Sequence, residues 1–438
     1  MLIFNNLKSK TSVNFIYYFI SLGLSKAFYF LLLPIFSYYL SPEDFGMWSF
    51  FLLYLALFMA LIGMMSSSKI SKNFFKSNDH PEVKPFLVTG YRDHVSSIIS
   101  HLVGLYVLHT ILYTLIIGII MLKTNDLFSM PINILIFIPL ICFFKLIIEV
   151  YQVILRHQNK ALSYLKLSAL MMGIELLLMG LFVIILSYNW DGLIKAVFLS
   201  NMIVFLFCIY KISAKYDIRF IFDTVVFKKI VFYSFPLLIY GVFGMLIQYI
   251  DRFFIEYYIN LEAVGLYSMV YSFSLGLLLF REVFNYIWGP WCMKQFSEDL
   301  KISFSSFLKR SVGISVLFMF IGILFLILSK YWLFEYLIND NYIIAKSCLD
   351  YIIVATILQS FCAIFQPILL YKNKTLILAL INFLVVLINI IGNIIWIPIN
   401  GYVGAAQATL LAIVVQTASV IYYALFILLK YKREVRWL

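Results

Sequence analysis

The sequence predicts an all-α integral membrane protein of about twelve transmembrane helices, in two six-helix bundles related by a parallel pseudo-two-fold axis along the membrane normal. Three observations predict it: an apolar composition, apolar runs about twenty residues long, and an internal repeat at half the chain length. Hydrophobic residues make up 63% of the 438 and charged residues only 12%, where a soluble domain carries about 25% charged residues. Such a chain needs lipid as solvent, and a backbone in lipid must satisfy its own hydrogen bonds. Long helices do so. The alternating pattern of a barrel strand is absent.

The first span, 12–40, is too long for a signal-peptide core and lacks a small-residue cleavage site. Ser41-Pro42-Glu43-Asp44 then breaks the chain before the second span, 46–66. Spans follow at 95–122 and 131–155, the latter opened by Pro131, and at 163–187 and 192–213, parted by Asn189-Trp190-Asp191-Gly192. The second half places spans at 229–251, 263–289, 308–329, 347–371, 375–398 and 402–429, the last two parted by Asn400-Gly401. The five cysteines are scattered and form no CxxC pair, so neither a metal site nor a disulfide framework is expected.

Basic residues set the orientation. With a cytoplasmic N-terminus, 25 of the 33 Lys and Arg fall on the cytoplasmic side, 4 on the other, and 4 (Lys26, Lys145, Lys195 and Arg281) within spans. This positive-inside bias places both termini in the cytoplasm and makes the span count even. Loops beside anionic headgroups account for the net charge of +12, and no nucleic-acid partner is needed. No loop is large enough for a soluble catalytic fold.

The repeat aligns Tyr38-Tyr39-Leu40-Ser41-Pro42-Glu43-Asp44-Phe45-Gly46-Met47-Trp48-Ser49 with Tyr257-Tyr258-Ile259-Asn260-Leu261-Glu262-Ala263-Val264-Gly265-Leu266-Tyr267-Ser268, five of twelve positions being identical at an offset of 219. Asn159-Lys160-Ala161-Leu162 pairs with Asn373-Lys374-Thr375-Leu376, and Asp191-Gly192 with Asn400-Gly401, in the same order. Two parallel halves result: residues 1–213, a connector at 214–228, and residues 229–438. Repeats of this kind are a transporter feature, with the substrate path between the halves.

Polar residues at helical spacing mark the faces that avoid lipid. Asn14, Ser21 and Ser25 on the first span, Tyr240 and Gln248 on the seventh, and Tyr271 and Ser274 on the eighth are candidate cavity-lining residues. The asparagines of span 11 (Asn382, Asn389, Asn393) read as interhelical glue. Intramembrane charges are more informative, since each costs a few kcal/mol at the bilayer centre. Lys26 lies mid-span, where snorkelling reaches an interface poorly, and is read as a cavity cation. Arg281 reads equally as a second cavity cation and as a local partner of Glu282. Lys145 and Glu149, four apart, suggest an intrahelical pair. Glu175 is either a protonatable coupling group or a protonated, hydrogen-bonded carboxyl. Asp251-Arg252 is either a coupling or gating element or a headgroup-level anchor. Cations in a cavity suit an anionic substrate, and tyrosine faces suit sugar rings.

Several of these segments resemble the polysaccharide flippases of the Wzx type, in the multidrug/oligosaccharidyl-lipid/polysaccharide exporter superfamily. They are Tyr39-Leu40-Ser41-Pro42-Glu43-Asp44-Phe45-Gly46, Ser234-Phe235-Pro236-Leu237-Leu238 with Tyr249-Ile250-Asp251-Arg252-Phe253-Phe254, and Gly401-Tyr402-Val403-Gly404-Ala405-Ala406-Gln407-Ala408-Thr409. The resemblance implies alternating access and an undecaprenyl-diphosphate-linked oligosaccharide as substrate. This would be carried to the periplasmic leaflet of a bacterial inner membrane for O-antigen, capsule or exopolysaccharide assembly. It implies Lys26 and Arg281 as the substrate's cations, H+ or Na+ as a candidate coupling ion with no other cofactor, and membrane lipids with the polymerase and chain-length machinery as candidate partners. A drug or cation exporter of the same fold would want carboxylates rather than cations in its cavity. A membrane-embedded polymerase would want a large outer loop, and a lipid II flippase more spans than 438 residues hold.

Overall fold

The computed structural model describes residues 10–63, 91–124, 126–127, 130–216, 224–297, 304–372 and 374–435. Thirteen α-helices of eight residues or more lie among them. In the first half they are α1 Lys10–Tyr39, α2 Pro42–Gly63, α3 Tyr91–Met121, α4 Ile138–His157, α5 Ala161–Met179 and α6 Trp190–Ser213. The second half holds α7 Thr224–Tyr249, a short α8 Asp251–Tyr258, α9 Leu261–Ser297, α10 Phe304–Leu328, α11 Leu349–Tyr371, α12 Thr375–Asn400 and α13 Tyr402–Val435. Each of the twelve expected spans coincides with one long helix. Among the described residues ten segments are long and apolar enough to cross a membrane. The other two expected spans are α1 and α7, helices of 30 and 26 residues whose side chains are described only in part.

The chain divides into two compact units. The first comprises Met1–Ser21 and Phe50–Val242, the second Leu22–Ser49 and Phe243–Leu438. Residues 22–49 therefore cluster with the C-terminal half rather than with 1–213. Much of the expected connector, 217–223, lies outside the described residues.

In the first unit α4 packs on α3 and α6, and α5 packs on α6. Ile148, Leu155, Tyr164, Leu167, Val204 and Cys208 form a buried cluster there. The turn from α4 to α5 explains the Asn159-Lys160 motif. Asn159 takes φ 54°, a left-handed conformation that asparagine tolerates. Lys160 N–H then reaches back to Leu155 O at 3.0 Å and Asn159 N–H to Arg156 O at 3.0 Å, the two bonds of a Schellman cap. In the second unit Lys374 N–H makes the same six-to-one bond to Leu369 O at 2.8 Å, after α11.

The main repeat also has a physical meaning. Ser41 caps α2: Asp44 N–H donates to Ser41 Oγ at 3.1 Å, while Ser41 N–H and Oγ–H donate back to Asp44 Oδ2 at 3.1 and 2.7 Å. This is a capping box with proline at the first helical position. Asn260 caps α9 by accepting from Ala263 N–H at 2.8 Å. Within the second unit these two helix starts cross each other. A Cβ on Gly265 would strike the Pro42 carbonyl, and one on Gly46 would strike the Leu261 carbonyl. Pro42 and Leu261 are themselves 219 apart, as are Gly46 and Gly265. Ser268 Oγ–H donates to Ser49 Oγ at 2.8 Å, again across 219 residues. The contact is reciprocal, which is consistent with the expected pseudo-two-fold relation. Around it α11, α12 and α13 pack together and α9 lies on α11.

Candidate functional site

A polar centre is buried in the second unit, where α7 breaks into α8. Ile250 interrupts the helix, and the Gln248 carbonyl accepts instead from Arg252 NH1 at 2.6 Å. The break turns two consecutive charged residues inward. Asp251 is fully buried and Arg252 is 3% exposed, so the headgroup-anchor reading of this pair does not hold.

Asp251 is held by three donors from three helices. Tyr267 OH of α9 donates to Oδ2 at 2.6 Å, and Thr409 Oγ1–H of α13 to the same oxygen at 2.6 Å. Asn393 Nδ2 of α12 donates to Oδ1 at 2.8 Å and also to Asn389 Oδ1 at 3.0 Å. Asn389 Nδ2 closes the ring on Thr409 Oγ1 at 3.3 Å. One buried oxygen, Asn393 Oδ1, receives no donor. Among the described residues no Lys or Arg nitrogen lies within 4.0 Å of the Asp251 carboxylate. The Asp251 side chain is thus held by two hydroxyl donors and one amide donor.

Arg252 points the other way. Its Nε donates to Ser49 Oγ at 2.7 Å, which ties the α2–α9 crossing to the helix break. Its guanidinium lies 4.8 Å from the Tyr249 ring centroid, 4.8 Å from that of Tyr271 and 5.9 Å from that of Tyr267. Aromatic faces thus replace a carboxylate as its counter-charge.

The other expected site residues scatter. Lys26, Ser25 and Tyr240 lie on α1 and α7 with side chains outside the described residues. Arg281 sits lower on α9, with NH1 donating to Gln359 Oε1 at 2.7 Å and NH2 to Glu282 Oε1 at 2.8 Å. Its Nε is buried without an acceptor. Lys145 and Glu149 are half-buried on α4, and no ion pair joins them among the described residues, a correction to their spacing-based pairing. Glu175 is buried within α5 of the first unit. Asn14 Nδ2 donates to Asn159 O at 3.3 Å and Ser21 Oγ to Ser168 Oγ at 2.8 Å, both as interhelical bonds of the first unit. Ser274 Oγ donates to Tyr271 O at 2.6 Å within its own helix, and Gln248 contributes its carbonyl to Arg252.

Sequence reasoning singled out Asp251, Arg252 and Tyr271 but missed Tyr267, Asn389, Asn393 and Thr409 as their surroundings. The signal was present in part. Asn389 and Asn393 stand one helical turn apart on α12, and both are fully buried. Asn382, on the same stripe, accepts from Gln416 Nε2 at 3.0 Å and does act as glue.

Residues 12–288 match the family described as "Polysaccharide biosynthesis protein". None of the curated proteins matches the chain. Among solved structures, an inward-facing multidrug resistance transporter of the MATE family aligns with TM-score 0.70 at 14% identity, covering 95% of this chain and 98% of its own. The lipid II flippase MurJ, in an inward closed conformation, aligns with TM-score 0.72 at 14% identity, covering 93% and 87%. A MOP superfamily transporter from Pyrococcus furiosus, described as having a binding pocket of reversed polarity, aligns with TM-score 0.62 at 16% identity over 96% of each chain. The fold is that of this transporter superfamily.

Proposed function

The chain belongs to the polysaccharide biosynthesis protein family, and from that membership we propose that it is a flippase for a lipid-linked oligosaccharide. The match over 12–288 carries the reading. It covers the first half from residue 12 onward, and Asp251, Arg252 and Tyr267 of the polar centre. The substrate is an oligosaccharide on undecaprenyl diphosphate, moved from the cytoplasmic to the periplasmic leaflet of a bacterial inner membrane for O-antigen, capsule or exopolysaccharide assembly. Both termini are cytoplasmic, as the distribution of basic residues favours.

The diphosphate must cross a low-dielectric layer, and fixed cations lower that barrier. Lys26 and Arg281 fill this role. Arg281 is suited to it, since its only carboxylate partner among the described residues is Glu282 and its Nε has no acceptor. Coupling falls to Asp251. Its buried side chain, held by the Tyr267 and Thr409 hydroxyls and the Asn393 amide, is the place in this reading for a coupling ion, H+ or Na+. Binding there would neutralise the carboxylate and redirect the hydroxyls of Tyr267 and Thr409. Since Ser49 and Arg252 join the same break, the ion's presence acts on the α2–α9 crossing.

A deletion strain tests the function. Flipping predicts lipid-linked oligosaccharide in the cytoplasmic leaflet and loss of surface polymer. Accumulation of unpolymerised units in the outer leaflet indicates a polymerase instead, and unchanged polymer with new drug sensitivity indicates a drug exporter.

A further inference from the structure

We propose that a basic pocket at one end of the first unit binds the phosphate headgroup of an anionic phospholipid. It is a cavity of about 470 Å³ between the end of α4, the start of α5 and the end of α6. That volume lies within the ~300–1,000 Å³ range of small-ligand sites.

Four lysines converge on it. Lys160 precedes α5, Lys166 lies in its first turns, Lys211 is in the last turn of α6 and Lys215 follows it. Among the described lining residues none is Asp or Glu. The exposed ammonium groups of Lys160, Lys166 and Lys211 share one cavity, and an anion there screens their mutual repulsion.

The walls are held in place. The Schellman turn that presents Lys160 is fastened by Asn14, which donates to Asn159 O at 3.3 Å. Gln158 Nε2 donates to Tyr216 OH at 2.9 Å across the opening. Lys211 Nζ lies 5.5 Å from the Phe207 ring centroid, and Lys215 Nζ lies 5.6 Å from that of Tyr216.

The lining is also apolar. Leu155 and Leu167 are buried in its wall, and Leu170 and Phe207 are exposed. A lining that combines lysines with apolar side chains fits an amphiphile rather than free phosphate. This is also the end that the basic-residue count assigns to the cytoplasm, where basic pockets between helices collect anionic headgroups. The inference is independent of the transported substrate.

The test is native mass spectrometry of the full chain, delipidated in detergent and titrated with phosphatidylglycerol. The double variant Lys160→Gln/Lys211→Gln is compared with wild type and with Lys372→Gln/Lys374→Gln, which removes equal charge from an exposed loop of the second unit. At about fivefold per surface lysine, the pocket variant should bind phosphatidylglycerol about thirtyfold more weakly. The control should match wild type, and zwitterionic phosphatidylcholine, which has no net charge, should not compete. Equal binding by wild type and pocket variant overturns the proposal, as does an equal loss in the control. Displacement by inorganic phosphate as effective as by phosphatidylglycerol overturns the lipid assignment. Preferential retention of undecaprenyl diphosphate on the same lysines overturns it in favour of a substrate-docking site. A second pair, Lys166→Gln/Lys215→Gln, must reproduce the loss.

Discussion

Replacing Asp251 with alanine removes the acceptor of three buried hydrogen bonds at once, from Tyr267, Thr409 and Asn393. Side-chain bonds within membrane proteins contribute about 0.6 kcal/mol each on average and up to about 1.7. Three of them give roughly 2–5 kcal/mol. For a unit of this size 1 kcal/mol shifts the midpoint by about 2–4 °C, so Asp251→Ala should unfold about 4–20 °C lower. Asp251→Asn is milder. The tyrosine and threonine hydroxyls can rotate, and the new amide has Asn393 Oδ1, buried and without a donor, as its acceptor. It should cost about one bond, roughly 0.6–1.7 kcal/mol or about 1–7 °C. The assay is tryptophan fluorescence of the purified protein during a thermal ramp, with cell-surface polymer measured in parallel. Both variants should lose polymer export, since neither leaves a carboxylate at the site. An alanine variant that melts with wild type refutes the hydrogen-bond reading. A folded Asp251→Asn variant that exports normally refutes the ion role.

Other outcomes follow from single contacts. Gly265→Ala should destabilise by about 1–3 kcal/mol or more, because the added carbon meets the Pro42 carbonyl rather than a movable side chain. Gly313→Ala, in open space on α10, should be neutral or stabilising by up to about 1 kcal/mol in the same melting assay. Lys26→Ala and Arg281→Ala should each reduce surface polysaccharide at unchanged protein level on immunoblots. Wild-type polymer in both sinks the cavity-cation assignment. Arg252→Lys keeps the charge but gives up the planar stacking on Tyr249 and Tyr271, and should lower the melting midpoint although the charge is conserved.

The span pattern was legible because lipid demands it: a backbone without water forms long apolar helices, and the breaks fall at Pro, Gly and Asn. The repeat was legible too, and the reason lies in backbone geometry. Ser41 and Asn260 cap helices, and Gly46 and Gly265 let two helix starts touch. What one sequence could not reveal was which polar residues meet. Asn393 and Thr409 lie 142 and 158 positions from Asp251. Spacing along one helix says nothing of such pairings, and it misled for Lys145 and Glu149, whose i,i+4 register permits an ion pair that the side chains do not make.

The asymmetry between the halves argues that the buried charges serve function rather than folding. At the repeat offset, Asp251 and Arg252 correspond to Leu32 and Leu33, which are buried at 6% and 3% exposure. The equivalent positions are thus filled by leucines within an unbroken helix in one half and by an acid and a base at a helix break in the other. Buried ionic groups replaced by well-packed apolar ones are often neutral or stabilising by about 1–4 kcal/mol, so stability alone gives no reason for the charged version. The charged version also needs Tyr267, Thr409, Asn389 and Asn393 to satisfy the carboxylate, and three tyrosine rings to hold the guanidinium. A centre that requires so many residues, placed beside the crossing of α2 and α9, fits the coupling role proposed for Asp251 better than a role in stability alone.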